Sequence, residues 1–125
     1  MSKATIKLTA VANGERMTVS VITACSNTGT ITLLDDSTVY GTLKKTTSGQ
    51  PQFLGAFSAI YGGGSNLRVE LDITTSSLKT LVDYLAILDG AGTAYGGCYT
   101  IAVEDSTDND YNDYVIAVLV TKKAK

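Results

Sequence analysis

Apolar and polar residues alternate along much of the chain with a period of two. The heptapeptide LRVELDI at 67–73 alternates without a fault, and Met17, Val19 and Val21 repeat the pattern. A strand with one buried and one solvent-facing side has this period. Other segments are rich in the β-branched and aromatic residues that favour strands. These further strand candidates lie at 5–10, 29–34, 38–43, 52–60, 98–104 and 113–121.

One segment between these candidates is ambiguous. The apolar residues between 78 and 85 are spaced as on a helix, whereas YLAILDG, which begins at Tyr84, is typical of a buried strand that ends in a turn. Periodicity alone does not decide between helix and strand in runs this short. We therefore predict a short turn or helical piece at 76–82 and a strand at 83–89.

The strand candidates predict the fold class. Short strands that recur at spacings near ten residues, with turn signals between them, are typical of antiparallel sandwiches. We predict an all-β fold, an antiparallel Greek-key or jelly-roll-like β-sandwich of about nine strands. Hydrophobic residues make up 44% and charged residues 18% of the 125 residues, as in globular chains. With no visible repeat or linker, residues 1–125 are expected to form a single domain.

Negative charge is concentrated in one segment, EDSTDNDYND at 104–113, which we call the acidic segment. It holds five of the twelve acidic residues and no basic residue. The rest of the chain carries seven acidic residues against ten basic ones, a balance of +3. Clustered carboxylates repel one another, and a protein tolerates them by leaving the loop solvated, by protonating some of them or by binding cations. A solvated acidic loop would more often contain Gly, Ser or Lys between its acidic residues. Since Ca²⁺ prefers oxygen ligands from Asp, Glu and Asn, the segment predicts a calcium site.

Several function classes are disfavoured by composition. The chain has no histidine, which removes the usual general base and the commonest zinc ligand. No basic stripe predicts nucleic-acid binding, and no apolar run is long enough for membrane insertion. Because no signal peptide is evident, the protein is expected to be cytoplasmic as synthesised, with release or cell-surface display left open. We expect Cys25 and Cys98 to be free thiols.

The acidic segment closely resembles the calcium loop of the LecB-type (PA-IIL-like) bacterial lectins, which bind fucose and mannose. Residues 10–13 (AVAN), a turn, and TVSV at 18–21 resemble the first hairpin of that family, whose asparagine is a metal ligand. The chain length and the position of the acidic segment also match. The resemblance implies a homo-oligomeric, calcium-dependent lectin without enzymatic activity, with mannose- or fucose-containing glycans as its partners.

The resemblance also implies a site with two adjacent calcium ions, whose coordination shells are completed by sugar hydroxyls. Asp110 and Asp113 would bridge the two ions, and Asp105 would accept a hydrogen bond from the sugar. The metal ligands would be Asn13, Glu104, Asp108, Asp110, Asn112 and Asp113. The sugar-binding residues would be Gly14, Glu15, Arg16, Asp105, Asp108, Asp110 and Asp113.

Two departures from the family bear on specificity and assembly. Gly14 lacks the hydroxyl that favours fucose in the resembling lectins, and Glu15 and Arg16 add long polar side chains. We therefore predict that mannose-type ligands are preferred to fucose. The chain also ends in a basic tail at Lys125 instead of a glycine, which leaves open whether its terminal carboxylate reaches a neighbouring subunit.

Two other functions are compatible with an acidic segment in a β-domain. In the first, calcium only stabilises an adhesion or structural β-domain that binds no sugar, and Asn13 would then lie away from the acidic segment. In the second, a carboxylate pair such as Glu104 and Asp113 hydrolyses glycosides. The glycosidase is disfavoured because calcium lowers the pKa of its carboxylate ligands, so none could serve as the protonated acid.

Overall fold

The computed structural model describes residues 1–49, 52–105 and 110–122. These residues form nine β-strands in two sheets. Within these ranges there is no helix. The strands are β1 (Ser2–Lys7), β2 (Arg16–Thr23), β3 (Gly29–Leu34), β4 (Val39–Lys45), β5 (Gln52–Ile60), β6 (Arg68–Ile73), β7 (Lys79–Leu88), β8 (Ala94–Glu104) and β9 (Tyr114–Thr121).

The two sheets are antiparallel throughout. One has four strands in the order β1-β6-β3-β4, and the other has five in the order β5-β2-β9-β8-β7. Strands that are neighbours in sequence often lie in different sheets, so the chain crosses repeatedly between the layers. This arrangement confirms the predicted all-β sandwich.

The core lies between the sheets and follows the predicted alternation. In 67–73, all four apolar residues are buried, and the polar residues between them are only partly buried. Met17, Val19 and Val21 of β2 are fully buried and belong to the same hydrophobic cluster. At roughly 25 cal/mol per Å² of apolar surface, this cluster is the main source of the stability that holds the two sheets together.

The short turn or helical piece predicted at 76–82 is confirmed only as a bend at Ser76, and it is wrong from Lys79 onward, where β7 begins. Leu81 and Val82 pair with Ala102 and Ile101 in the ladder between β7 and β8. The strand lies at the edge of its sheet and exposes apolar side chains on both faces, including Leu81 and Val82, which are about half exposed. Apolar residues at successive positions on two exposed faces reproduce a helix-like spacing.

The first hairpin suggested by the resemblance is not present. β1 ends at Lys7, earlier than predicted, and residues 8–15 form turns and loop instead of a second paired strand. β1 lies in the four-stranded sheet, whereas β2 lies in the five-stranded sheet. The segment 8–15 therefore carries the chain from one layer to the other.

Two smaller expectations concern the thiols and the membrane. Cys25 and Cys98 are free, with Cys25 buried and Cys98 half-buried. The part of the chain that the structure describes contains no helix suited to span a membrane.

The pairing of β2 with β9 fixes the two ends of the five-stranded sheet. Thr23 at the end of β2 is opposite Tyr114 at the start of β9, and Arg16 is opposite Thr121. Residues 24–28 therefore lie at the same end of the sheet as the acidic segment. The turn that precedes Arg16 lies at the other end.

Candidate metal and sugar site

Three carboxylates of the acidic segment converge where β8 ends and β9 begins. Glu104, Asp110 and Asp113 each offer an oxygen within 4.8 Å of the others. Two ligands of one Ca²⁺ ion can be as much as about 5.2 Å apart, since each lies 2.3–2.6 Å from the metal. Glu104 and Asp113 are buried, and Asp110 is exposed. The cluster is thus open on one side and has the hard oxygen donors that suit calcium.

Backbone hydrogen bonds hold these carboxylates in place. The amide of Asp113 donates to the carbonyl of Val103 at 3.1 Å, which continues the β8–β9 ladder. The amide of Asp105 donates to Oδ2 of Asp113 at 2.9 Å, and the amide of Tyr111 donates to Oε1 of Glu104 at 3.1 Å. Tyr111, whose amide makes this hydrogen bond, has a φ of 52°, in the left-handed region.

The electrostatics of the cluster fit a site that is completed by a cation. Burial, together with the neighbouring charges of Asp105 and Glu104, raises the pKa of Asp113 from 3.8 to about 7, although the amide of Asp105 opposes the shift. A divalent cation that binds beside such a carboxyl group lowers its pKa and stabilises the ionised form.

This raised pKa predicts that the stability of the metal-free protein and the stabilisation by calcium change in opposite directions with pH. Between pH 3.8 and about 7, Asp113 binds a proton in the native metal-free protein but not in the unfolded chain. Its contribution therefore makes the metal-free protein less stable as the pH rises through this window. Protons also compete with calcium for the same carboxylate, so stabilisation by calcium should decrease as the pH falls below 7. Melting curves from pH 5 to pH 8, recorded with calcium and with EDTA, test both trends.

A polar segment that the sequence did not assign to the site lies directly against it. Residues 24–28 follow β2, and the amide of Ala24 donates to the carbonyl of Asp113 at 3.0 Å. Nδ2 of Asn27 donates to Oδ2 of Asp105 at 2.5 Å, and the hydroxyl of the buried Tyr114 donates to the carbonyl of Asn27 at 2.8 Å. Ser26, Asn27 and Thr28 therefore form one edge of the site, which we call the SNT edge.

Asp105 lies underneath this edge. It was predicted to accept a hydrogen bond from a sugar, but its side chain is only 7% exposed and already accepts the hydrogen bond from Asn27. Its carbonyl accepts a hydrogen bond from Oγ1 of Thr75 at 2.5 Å. The structure thus places Asp105 where it fixes the orientation of Asn27.

The turn residues Asn13, Gly14, Glu15 and Arg16 are not brought together with the acidic segment. They lie at the other end of β2, about 23 Å away, since the eight residues of the strand are separated by seven steps of about 3.3 Å. The amide of Gly14 donates to the carbonyl of Tyr61 at 2.8 Å.

Glu15 and Arg16 also have partners of their own at that end of the sheet. Oε1 of Glu15 accepts from the amide of Ala12 at 2.6 Å, and Arg16 donates to Oγ of Ser58 at 2.9 Å. Within one chain, the predicted shared site with Asn13 is therefore not formed.

The remaining predicted residues are divided between the site and undescribed parts of the chain. Asn112 is exposed and directly precedes Asp113, so it lies at the rim of the cluster. Asp108 and Lys125 lie outside the described residues, and their predicted roles remain predictions.

The SNT edge could have been found only from strand pairing. Ser26 and Asn27 read as an ordinary turn after β2, with no charge or periodicity to distinguish them. Once β2 is paired with β9, the residues that follow Thr23 must lie beside those that precede Tyr114. The relevant signal is therefore the order of strands in the sheet, which hydrophobic alternation does not contain.

The described residues thus form an antiparallel β-sandwich with a cluster of carboxylate oxygens and a polar edge at one end of the five-stranded sheet. Residues 8–122 match the family model described as fucose-binding lectin II (PA-IIL). The chain belongs to this family, and it is a carbohydrate-binding lectin and not an enzyme. No curated protein sequence matches the chain significantly.

Solved structures of bacterial lectins share the fold. The C-terminal domain of the BC2L-C lectin from Burkholderia cenocepacia has a TM-score of 0.67 at 21% identity, covering 94% of this chain and 95% of that one. The high-affinity mannose-binding lectin of Ralstonia solanacearum has a TM-score of 0.61 at 22% identity, covering 92% and 93%. The Chromobacterium violaceum lectin CV2L, solved with α-methyl-fucoside, has a TM-score of 0.62 at 18% identity, covering 92% and 93%.

Proposed function

We propose that this lectin binds mannose- or fucose-type sugars through calcium, with hydroxyl groups of the sugar as calcium ligands. The observation that carries the proposal is the convergence of Glu104, Asp110 and Asp113 at an end of the sandwich that is open to solvent at Asp110. Calcium takes six to eight oxygen ligands, so three carboxylates leave positions for hydroxyl groups.

The family resemblance supports two ions per site. Glu104, Asp110 and Asp113 would hold one ion, and Asn112 and Asp108 would add ligands, with Asp110 and Asp113 shared by both ions. Bound calcium supplies an electrostatic anchor for pairs of neighbouring sugar hydroxyls. The protein's own contribution is to hold the carboxylates at fixed spacing, through the amides that donate to Glu104 and Asp113.

The SNT edge takes the place that the sequence had given to the turn at Asn13. Asn27 is held at both ends, by Asp105 through its side chain and by Tyr114 through its carbonyl. Ser26 beside it is exposed. A rigid polar edge next to the carboxylate cluster can form hydrogen bonds that distinguish the substituents of a sugar ring.

A calcium-stabilised structural domain that binds no sugar is the second candidate, and one observation favours it. Such a domain was expected to have Asn13 away from the acidic segment, and within one chain Asn13 is away from it. The distance of Asn13 from the cluster does not count against sugar binding, because the SNT edge supplies a polar neighbour to the carboxylates in its place.

A glycan array separates the two candidates. With calcium, the lectin should bind mannose- and fucose-terminated glycans, and EDTA should remove that binding. Retention of every signal in EDTA would exclude a role for calcium, and an array without signal in calcium would leave the structural domain as the better account.

The polar character of the SNT edge predicts mannose-type ligands over fucose. The hydroxymethyl group of mannose can exchange hydrogen bonds with Ser26 or Thr28, whereas the methyl group of fucose would need an apolar neighbour. Gly14, Glu15 and Arg16, from which the sequence predicted this preference, lie at the other end of β2 and are not part of the site within one chain. Competition between methyl mannoside and methyl fucoside measures the preference. Stronger inhibition by the fucoside would contradict this role of the SNT edge and leave the calcium proposal intact.

We also propose that the lectin is a homo-oligomer that associates through β7. This edge strand exposes five large apolar side chains, of which Leu85 is 71% exposed. Long apolar edge strands readily pair with a second copy of the same edge. Leu85→Lys should therefore shift the protein towards the monomer in sedimentation velocity. Phe53→Lys, a similarly exposed residue (66%) on β5 at the opposite edge, is the matched control. Equal behaviour of the two variants would contradict association through β7.

A further inference from the structure

Thr75 lies in the segment 74–78, which carries the chain from β6 in the four-stranded sheet to β7 in the five-stranded sheet. Its backbone is held from the side of the four-stranded sheet. The amide of Thr75 donates to the carbonyl of Ile73 at 2.8 Å, and the carbonyl of Thr75 accepts from Oγ of Ser2 at 2.8 Å. The side chain of Thr75 therefore extends from a backbone that is fixed on both sides.

The hydroxyl group of Thr75 contacts the acidic segment. Oγ1 donates to the carbonyl of Asp105 at 2.5 Å, directly after the end of β8. Oγ1 also lies 3.2 Å from the carbonyl of Ser77, but a hydroxyl has only one proton, and the shorter contact with Asp105 is the stronger hydrogen bond. Since β8 belongs to the five-stranded sheet, this side chain joins the two sheets at the end where the carboxylate cluster lies.

Asp105 connects Thr75 to both parts of the site. The amide of Asp105 donates to Oδ2 of Asp113 at 2.9 Å, and Oδ2 of Asp105 accepts from Nδ2 of Asn27 at 2.5 Å. Asp105 is thus hydrogen-bonded through its amide, its side chain and its carbonyl. The bond to the carbonyl is the one that comes from the segment after β6, so Thr75 ties the carboxylate cluster and the SNT edge to the four-stranded sheet.

Burial makes this hydrogen bond difficult to replace. Asp105 is almost completely buried, so water has little access to its carbonyl. A buried carbonyl that loses its donor is unfavourable, and the backbone would move to find another one. Because the amide of the same residue donates to Asp113, such a movement would also displace that carboxylate.

We propose that Thr75 is a positioning residue of the calcium site, which acts through Asp105 on Asp113 and Asn27. This role rests on the proposed function, because it takes Asp113 as a calcium ligand. Thr75 acts on the residues around the ion and not on the ion itself. Its hydroxyl keeps the acidic segment in the arrangement that binds calcium before the ion arrives.

Calcium titration by calorimetry tests this role with variants that lack the hydroxyl. Thr75→Val replaces the hydroxyl by a methyl group of similar size and should raise the Kd for calcium at least about tenfold, as for other residues that support metal ligands. Thr75→Ala is a second variant without the hydroxyl and should behave alike. Thr75→Ser keeps the hydroxyl and should retain most of the wild-type affinity.

The matched control is Thr32→Val, the same substitution at another half-buried threonine. The hydroxyl of Thr32 lies 3.3 Å from that of Thr42, within the pairing of β3 and β4, and neither residue contacts the acidic segment. This variant should bind calcium as the wild-type protein does.

Hydrogen exchange followed by NMR in EDTA gives a second measurement that needs no metal. The amide of Asp105 should be protected in the wild-type protein and in Thr75→Ser. In Thr75→Val and Thr75→Ala it should exchange about tenfold faster, which corresponds to the loss of one hydrogen bond that holds the segment.

The outcomes are distinct. An unchanged Kd for calcium in both variants without the hydroxyl would overturn the role, even if their melting temperatures in EDTA are lower. A loss of affinity that Thr75→Ser shares would overturn it as well. If the wild-type protein binds no calcium, the proposed function fails, and the exchange of the Asp105 amide alone decides whether Thr75 positions the segment. Faster exchange without the hydroxyl then supports the role, and unchanged exchange overturns it.

Discussion

Asp113→Asn should abolish calcium-dependent sugar binding while leaving the fold intact. The asparagine keeps an oxygen that can accept the hydrogen bond from the amide of Asp105, but it lacks the charge that calcium requires. Loss of residues that only support metal ligands costs about 10–100-fold in metal affinity, so loss of a ligand should cost at least about a hundredfold. Calcium titration by calorimetry measures this loss, and the same samples report binding of methyl mannoside.

The metal-free form of the variant provides an internal control. Burial and the neighbouring carboxylates raise the pKa of Asp113 to about 7, so its ionisation is unfavourable without calcium. In EDTA at pH 8, Asp113→Asn should therefore be at least as stable as the wild-type protein. Asp83→Asn, on an exposed part of β7, should behave as wild type in both assays. Normal calcium affinity in Asp113→Asn would show that the cluster does not bind the metal.

Removal of calcium from the wild-type protein should lower its melting temperature substantially. Two unit charges within 4.8 Å of each other repel by at least roughly 3.5 kcal/mol at an effective dielectric of ~20, and Glu104 and Asp113 are both buried. Calcium at a hundredfold excess over its Kd stabilises the native state by about 2.7 kcal/mol, which for a chain of this size is roughly 10 °C.

Differential scanning calorimetry in calcium and in EDTA measures the shift. Magnesium at the same concentration is the control, because it demands a tighter, near-octahedral shell and should stabilise much less. Identical melting curves in calcium and EDTA would contradict a calcium site at these carboxylates.

Much of the fold was predictable because burial leaves a direct trace in the sequence. The alternation in 67–73 predicted β6 and its buried face, since this strand has one face towards the core and one towards solvent. β7 was mistaken at its start because an edge strand lacks that asymmetry. Its apolar residues are exposed on both faces, so the period of two is lost.

The site was predictable only where its residues are contiguous. The acidic segment stood out by charge, and the structure brings Glu104, Asp110 and Asp113 together as expected. The segment that lies beside the carboxylates was predicted wrongly. The sequence around Asn13 suggested that residue as a ligand, whereas Asn27 lies beside the cluster. Which of them lies beside the cluster depends on the pairing of β2 with β9, a contact between residues about ninety positions apart that leaves no local pattern.

The most direct test of the central claim is the calcium affinity measured with and without sugar. If sugar hydroxyls complete the calcium shell, each ligand must strengthen the binding of the other by the same factor. Calcium titrations followed by calorimetry should show a Kd for calcium that falls at least about fivefold in saturating methyl mannoside, which is the lower end of typical coupling between sites. Galactose provides the comparison sugar. An unchanged Kd for calcium in every sugar, while calcium still binds, would contradict the account.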